Sequence, residues 1–125
     1  MKMLLHYREG WGPEAVAIGH EEDHQNRFNL FIGGVLWADC ESVKGCDNFL
    51  KTLDEIEHSS GKEQCFSGNA WFVTIRPTGV QIEFAADEAT TDTFTIEQVR
   101  RAVTGWRTLL QMPDSPASQV VVDLR

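Results

Sequence analysis

The chain has 125 residues, of which 42% are hydrophobic and 24% are charged, and its formal net charge is −8. This composition is typical of a single globular domain, residues 1–125, and argues against a disordered chain. The negative charge disfavours binding to nucleic acid or to anionic lipid, and it favours basic partners.

The N-terminal sequence and the cysteines favour a cytoplasmic protein. The segment MKMLLHYREGW has too short an apolar run for a secretory signal. The longest apolar stretch, residues 30–38, is far shorter than the ~20 residues of a membrane helix. The chain has three cysteines and no CxxC pair, which indicates a reducing compartment. We expect Cys46 to be a small buried residue on a helix.

Short strands are predicted for the first part of the chain. Residues 3–8 alternate between apolar and polar positions, and residues 15–18 form a second short strand. The polar run GHEEDHQNR, residues 19–27, is expected to be an acidic loop or a strand edge. In FNLFIGGVLWA, residues 28–38, the central Gly-Gly pair indicates a tight turn and therefore predicts a hairpin.

Two amphipathic helices are predicted farther along the chain. Apolar residues recur every three or four positions over residues 43–56 and again over residues 96–110. Ser42 is a suitable N-cap for the first helix. Thr95 and Gln98 have the spacing of a capping box at the start of the second helix.

The remaining segments complete the predicted fold. Residues 69–84 alternate around a Pro-Thr-Gly turn and predict a hairpin, whereas DEATTDT, residues 87–93, is expected to be a polar loop. Residues 120–124 suggest a short final strand. The order of elements predicts an α+β fold, in which an antiparallel β-sheet carries two amphipathic helices packed on one face.

One segment matches a catalytic motif. His20-Glu21-Glu22-Asp23-His24 fits the H-E-x-x-H pattern of zinc proteases, in which two histidines on a buried helix bind the metal. Glu22 would place a charge where such a helix packs inward, and no third ligand is evident. GxSxG, P-loop and GxGxxG motifs are absent from the sequence. We therefore predict no catalytic residue, cofactor or metal site, with a small metal-dependent hydrolase using this segment as the alternative.

The acidic residues cluster in predicted loops and at predicted strand ends. Such positions often carry binding residues, and acidic groups accelerate association with a basic partner. Trp11 and Trp37 are candidate anchors if they are exposed, although core packing is expected for Trp37. The predicted partner-binding residues are Glu21, Glu22, Asp23, Asp39, Glu41, Asp87, Glu88, Asp92 and Trp11.

Three segments resemble immunity proteins of contact-dependent growth inhibition and related polymorphic toxin systems in bacteria. They are FNLFIGGVLWA, GNAWFVTIRPTGVQIEF and TIEQVRRAVTGWRTLLQ. The resemblance implies a cytoplasmic protein that binds a cognate toxin domain, often a basic nuclease, and blocks its active site or substrate path. We therefore expect a toxin inhibitor, with a non-catalytic adaptor subunit of a larger assembly as a further alternative.

Overall fold

Helices and antiparallel strands contribute similar shares of the fold. The structure, a computed structural model, describes residues 1–19 and 22–125, and the side chains of residues 22 and 23 lie outside that description. The strands are β1 (Lys2–Arg8), β2 (Gly12–Ile18), β3 (Gln64–Ser67), β4 (Trp71–Arg76), β5 (Gly79–Phe84), β6 (Asp87–Phe94) and β7 (Gln119–Asp123). The helices are α1 (Glu22–Phe28), a π-helical turn (Asn29–Gly33), α2 (Gly34–Asp39), α3 (Val43–Glu57) and α4 (Ile96–Leu110). The predicted α+β class is confirmed.

The strands form two antiparallel sheets where one was expected. In the first sheet β1 lies between β2 and β7, and in the second the order is β3-β4-β5-β6. Met3 of β1 lies opposite Val122 of β7, so the first and last strands are neighbours. Alternating residues indicate where strands form, but they do not indicate which distant strands pair.

The two long helices connect the sheets. Helix α4 packs on β1 and β7 and also against α3, and α3 in turn contacts β4. Side chains from both sheets and all the helical segments join one hydrophobic core, in which Leu5, Leu53, Val73 and Leu109 are fully buried. This core fixes the positions of the surface segments that carry the candidate site.

The predicted helices and the central hairpin are confirmed. The Ser42 hydroxyl accepts a hydrogen bond from the Gly45 amide at the start of α3. At the start of α4, the Thr95 hydroxyl accepts from the Gln98 amide, and the Gln98 side chain accepts from the Thr95 amide. Strands β4 and β5 pair along their whole length around Pro77-Thr78. These elements have strong local signals, which explains why the sequence predicts them.

The hairpin predicted for residues 28–38 is wrong, because this segment is helical. Gly33 and Gly34 have φ angles of −59° and −64°, which are helical values rather than those of a tight turn. Their small size allows close packing instead. A Cβ on Gly34 would lie 2.6 Å from the Trp71 ring, and one on Gly33 would lie 3.2 Å from the Ala15 carbonyl oxygen.

Two segments predicted as loops also have regular structure. The polar run of residues 19–27 forms α1 from Glu22 onward, and the Asn29 side chain that follows accepts a hydrogen bond from the Ala17 amide at 2.6 Å. Residues 87–93 form most of β6, an edge strand in which threonine favours the extended backbone and polar side chains suit the exposed edge. Strand β3 was not predicted because it has only four residues and is mostly exposed.

Candidate partner-binding surface

Two exposed tryptophans stack on each other at the surface. Trp11 is 60% exposed and Trp37 is 52% exposed, and their ring centroids lie 6.0 Å apart with an interplanar angle of 18°. Trp11 belongs to the turn between β1 and β2, and Trp37 belongs to α2. Adjacent large apolar side chains on a surface are typical of interaction sites, and tryptophan is frequent among the residues that dominate binding energy. We call this pair the tryptophan stack.

The expected core packing of Trp37 is wrong, because the helix places it on the outer face. Val35, Leu36 and Ala38 occupy the buried positions of α2. In the predicted hairpin, Trp37 would have been part of a half-buried return strand. Trp11, which was predicted as a partner-binding residue, is exposed as that role requires.

The turn that carries Trp11 is held by glycine conformation and by charge. Gly10 and Gly12 have φ angles of 75° and 112°, which glycine adopts without strain. The Arg8 guanidinium lies 5.8 Å from the centroid of the Trp11 ring, and it also lies 3.6 Å from a Glu14 carboxylate oxygen. Trp11 is therefore presented by an ordered turn, which lowers the entropy lost on binding.

A shallow cavity lies beside each tryptophan. The cavity at Trp11 has a volume of about 430 Å³, and its charged lining residues are Arg8, Glu9 and Asp114. The cavity at Trp37 has a volume of about 260 Å³ and is lined by Pro13, Trp37, Glu41, Trp106 and Leu110. We call the second one the Trp37 cavity. Acidic side chains therefore border both ends of the tryptophan stack.

Buried Trp106 connects the Trp37 cavity to the core. Its side chain is 1% exposed, and its indole N–H donates a hydrogen bond of 2.8 Å to the Cys40 carbonyl oxygen. Cys40 caps the C-terminal end of α2. This bond fixes the end of α2, and with it the position of Trp37, relative to α4.

The predicted acidic residues do not form one surface. Glu41 lines the Trp37 cavity, and Asp39 lies beside Glu41 in another cavity. The β6 residues Asp87, Glu88 and Asp92 line neither cavity beside the tryptophan stack. Asp92 forms an ion pair with Arg27 of α1, so its charge is already compensated. Glu21 lies outside the described residues, and of Glu22 and Asp23 only the backbone, in α1, is described.

Asp39 joins the end of α2 to the connection between β3 and β4. One carboxylate oxygen accepts a hydrogen bond of 2.7 Å from the Asn69 amide, while the other is buried without a hydrogen-bond partner among the described residues. Burial raises the pKa of Asp39, the hydrogen bond from Asn69 lowers it, and the charge of Glu41 raises it. Asp39 thus holds the β3–β4 connection through its hydrogen bond with Asn69, whereas Glu41 is exposed to solvent.

The three cysteines differ in exposure. Cys40 and Cys46 are buried and Cys65 is exposed, and all three are free thiols. The expected burial of Cys46 is confirmed. The neighbouring Cys46 side chain and burial both raise the pKa of the Cys40 thiol.

We expect Ellman's reagent to react rapidly with one thiol of the native protein, Cys65. Cys40 and Cys46 should react only after unfolding in guanidinium, because the reagent needs an accessible thiolate and both side chains are 0% exposed. A Cys65→Ser variant should show no rapid reaction. Rapid reaction of a second thiol in the native protein would contradict the burial of Cys40 and Cys46.

Comparisons of the chain with protein-family models, with curated proteins and with solved structures find no match.

In the described part of the chain, no group of three His, Cys, Asp or Glu side chains has a geometry suited to a metal ion. His20 and Glu21 of the HEEDH segment lie outside that part. No helix among the described residues is long and apolar enough to cross a bilayer. The tryptophan stack and the two cavities beside it are the candidate site, because two large apolar side chains are exposed side by side there.

Proposed function

We propose that the protein is a non-catalytic inhibitor that binds a basic protein partner through the tryptophan stack and its acidic border. The observation that carries the proposal is the exposure of two stacked tryptophans on ordered segments. A solvated indole ring is costly to keep at a surface, and a partner that covers it gains binding free energy.

The tryptophan stack can supply a large share of the binding free energy. Each ring has roughly 100–150 Å² left to bury, so covering both corresponds to about 6 kcal/mol. Nanomolar affinity requires about 12 kcal/mol. The surrounding interface must therefore contribute a similar amount and also offset the entropy lost on association.

The charge of the protein supports a basic partner. The net charge is −8, and Glu9, Asp114 and Glu41 line the cavities at the two ends of the tryptophan stack. An acidic border accelerates association with a basic protein, while desolvated aromatic anchors slow dissociation. An inhibitor of a harmful enzyme needs both properties.

The partner that we favour is a cognate toxin domain in the cytoplasm. Three segments of the sequence resemble immunity proteins, and one of them, FNLFIGGVLWA, contains Trp37. A basic nuclease domain would fit the acidic border. Binding would then occlude the active site of the toxin or the path of its nucleic-acid substrate.

The test is binding to, and protection against, a basic toxin domain encoded directly upstream. Trp11→Ala and Trp37→Ala should each weaken binding by about 30-fold or more, as expected for binding hot spots, measured by surface plasmon resonance. The association rate should also fall as the salt concentration rises, because the attraction between charges is screened.

Phe72→Ala provides the matched control for these substitutions. Phe72 is a 39% exposed aromatic residue of β4 and lines neither cavity beside the tryptophan stack. Its replacement should change the affinity for the toxin domain by less than about threefold, as is usual for residues that lie away from the interface. Absence of protection on co-expression, or full affinity of both tryptophan variants, would reject the proposal.

A further inference from the structure

Among the described residues, a cation lies beside one of the two rings of the tryptophan stack and not beside the other. The Arg8 guanidinium lies over Trp11, 5.8 Å from the ring centroid. Among the described residues, no Arg or Lys lies over Trp37, although 52% of its surface is exposed. Arg8 shows that a guanidinium can lie against the Trp11 ring of this stack, and about half of the Trp37 surface is exposed.

The Trp37 cavity has the composition of a site for a cationic side chain. Its walls are Pro13, Trp37, Trp106 and Leu110, and Glu41 is the one charged side chain that lines it in the described part of the chain. The volume of about 260 Å³ is below the roughly 300–1,000 Å³ of sites for drug-sized ligands. A single side chain of a protein partner is an occupant of suitable size.

Glu41 is the acidic group that is available for such an occupant. It forms no ion pair or hydrogen bond with any described residue. Many other carboxylates are already paired: Asp47 binds Arg107, Glu63 binds Arg76, and Asp92 binds Arg27. Glu41 therefore keeps an uncompensated charge beside an exposed aromatic ring.

We propose that the Trp37 cavity receives an arginine side chain of the partner protein. The guanidinium would lie on the Trp37 ring and pair with the Glu41 carboxylate, while the methylene stem would pack on Pro13 and Leu110. Arginine fits better than lysine because its planar group stacks on aromatic rings and matches a carboxylate with two parallel N–H donors. This inference rests on the proposed function, since it names the group that the same surface recognises.

The test uses Nα-acetyl-arginine methylamide as the probe and the Trp37 indole N–H signal in nitrogen-15 NMR spectra as the readout. The neutral analogue Nα-acetyl-citrulline methylamide has nearly the same shape and lacks the charge. We expect a saturable shift of the Trp37 signal with the arginine probe and none with the citrulline probe at equal concentration. The lysine analogue should bind more weakly than the arginine probe.

Glu41→Gln tests the carboxylate, and Glu55→Gln on α3 is its matched control. The first variant should weaken binding of the arginine probe by about two- to fivefold, the range for a partly exposed ion pair. The second should leave it unchanged, because Glu55 is exposed and does not line the Trp37 cavity. Equal binding of the citrulline probe, or unchanged binding to Glu41→Gln, would overturn the inference.

The probe experiment and the toxin experiment fail in different ways. The probe requires no partner, so a missing shift at Trp37 overturns the arginine site even if Trp37→Ala still loses the toxin. Conversely, a clear arginine shift supports the site even if the chosen toxin does not bind. With a toxin that does bind, a double-mutant cycle combines Glu41→Gln with removal of the toxin arginine that occupies the Trp37 cavity. The two effects on binding free energy should be non-additive. Additive effects would count against a pairing of Glu41 with that arginine.

Discussion

Replacing Trp106 with alanine should lower the free energy of unfolding by about 3–5 kcal/mol, the range for deletion of a buried aromatic side chain. The ring is 1% exposed, and its N–H is the donor to the Cys40 carbonyl oxygen at the end of α2. The substitution removes this bond and leaves a cavity between α2 and α4. Urea denaturation followed by circular dichroism measures the change, and the melting temperature should fall by roughly 10–20 °C.

Two other substitutions separate the contributions of the Trp106 ring. Trp106→Phe keeps most of the volume but leaves the Cys40 carbonyl without its donor, which should cost about 1–3 kcal/mol. Trp11→Ala removes an exposed ring and should change stability by less than about 1 kcal/mol. A Trp106→Ala protein as stable as the Trp11→Ala protein would contradict the description of Trp106 as the link between α2 and α4.

Elements with strong local signals could be predicted from the sequence. Helix α4 combines a regular apolar stripe with the Thr95–Gln98 capping box, and the β4–β5 hairpin combines alternation with a Pro-Thr-Gly turn. Each signal lies within a short stretch and needs no information about distant residues. The pairing of β1 with β7 joins the two ends of the chain, and no local pattern specifies such a contact.

The candidate site could be predicted only in part. Trp11 was identified because it lies near a predicted loop or strand end, and Glu41 because of its charge. The exposure of Trp37 depends on the helical state of residues 28–38, and the Gly-Gly pair favoured a turn there. The spacing of the apolar residues in this segment also fits a helix. Steps of three, one and three positions separate four buried residues, Phe28, Phe31, Ile32 and Val35. That spacing leaves Trp37 on the outside.

Gly34→Val should destabilise the protein by about 3 kcal/mol, the upper end of the range for overpacking a core. Gly34 has a helical φ angle of −64°, so the backbone tolerates valine there, and the cost comes from contact with Trp71. A Cβ at this position would lie 2.6 Å from the Trp71 ring. Trp71 has little room to move, because it is 4% exposed and packs against Phe31 and Phe84.

A double-mutant cycle with Trp71→Leu identifies the origin of this cost. The smaller leucine should make room for valine, so the double variant should be more stable than the sum of the single effects by at least about 1 kcal/mol. Gly45→Ala in α3 is the control. A Cβ on Gly45 would lie 3.3 Å from the Ser42 hydroxyl and would not contact Trp71. Its effect on stability should therefore be additive with that of Trp71→Leu. If Gly34 were part of a turn with positive φ, valine would be strained whatever residue occupied position 71. Additive effects of Gly34→Val and Trp71→Leu would therefore favour the hairpin, whereas strong coupling requires the helix that places Trp37 on the surface.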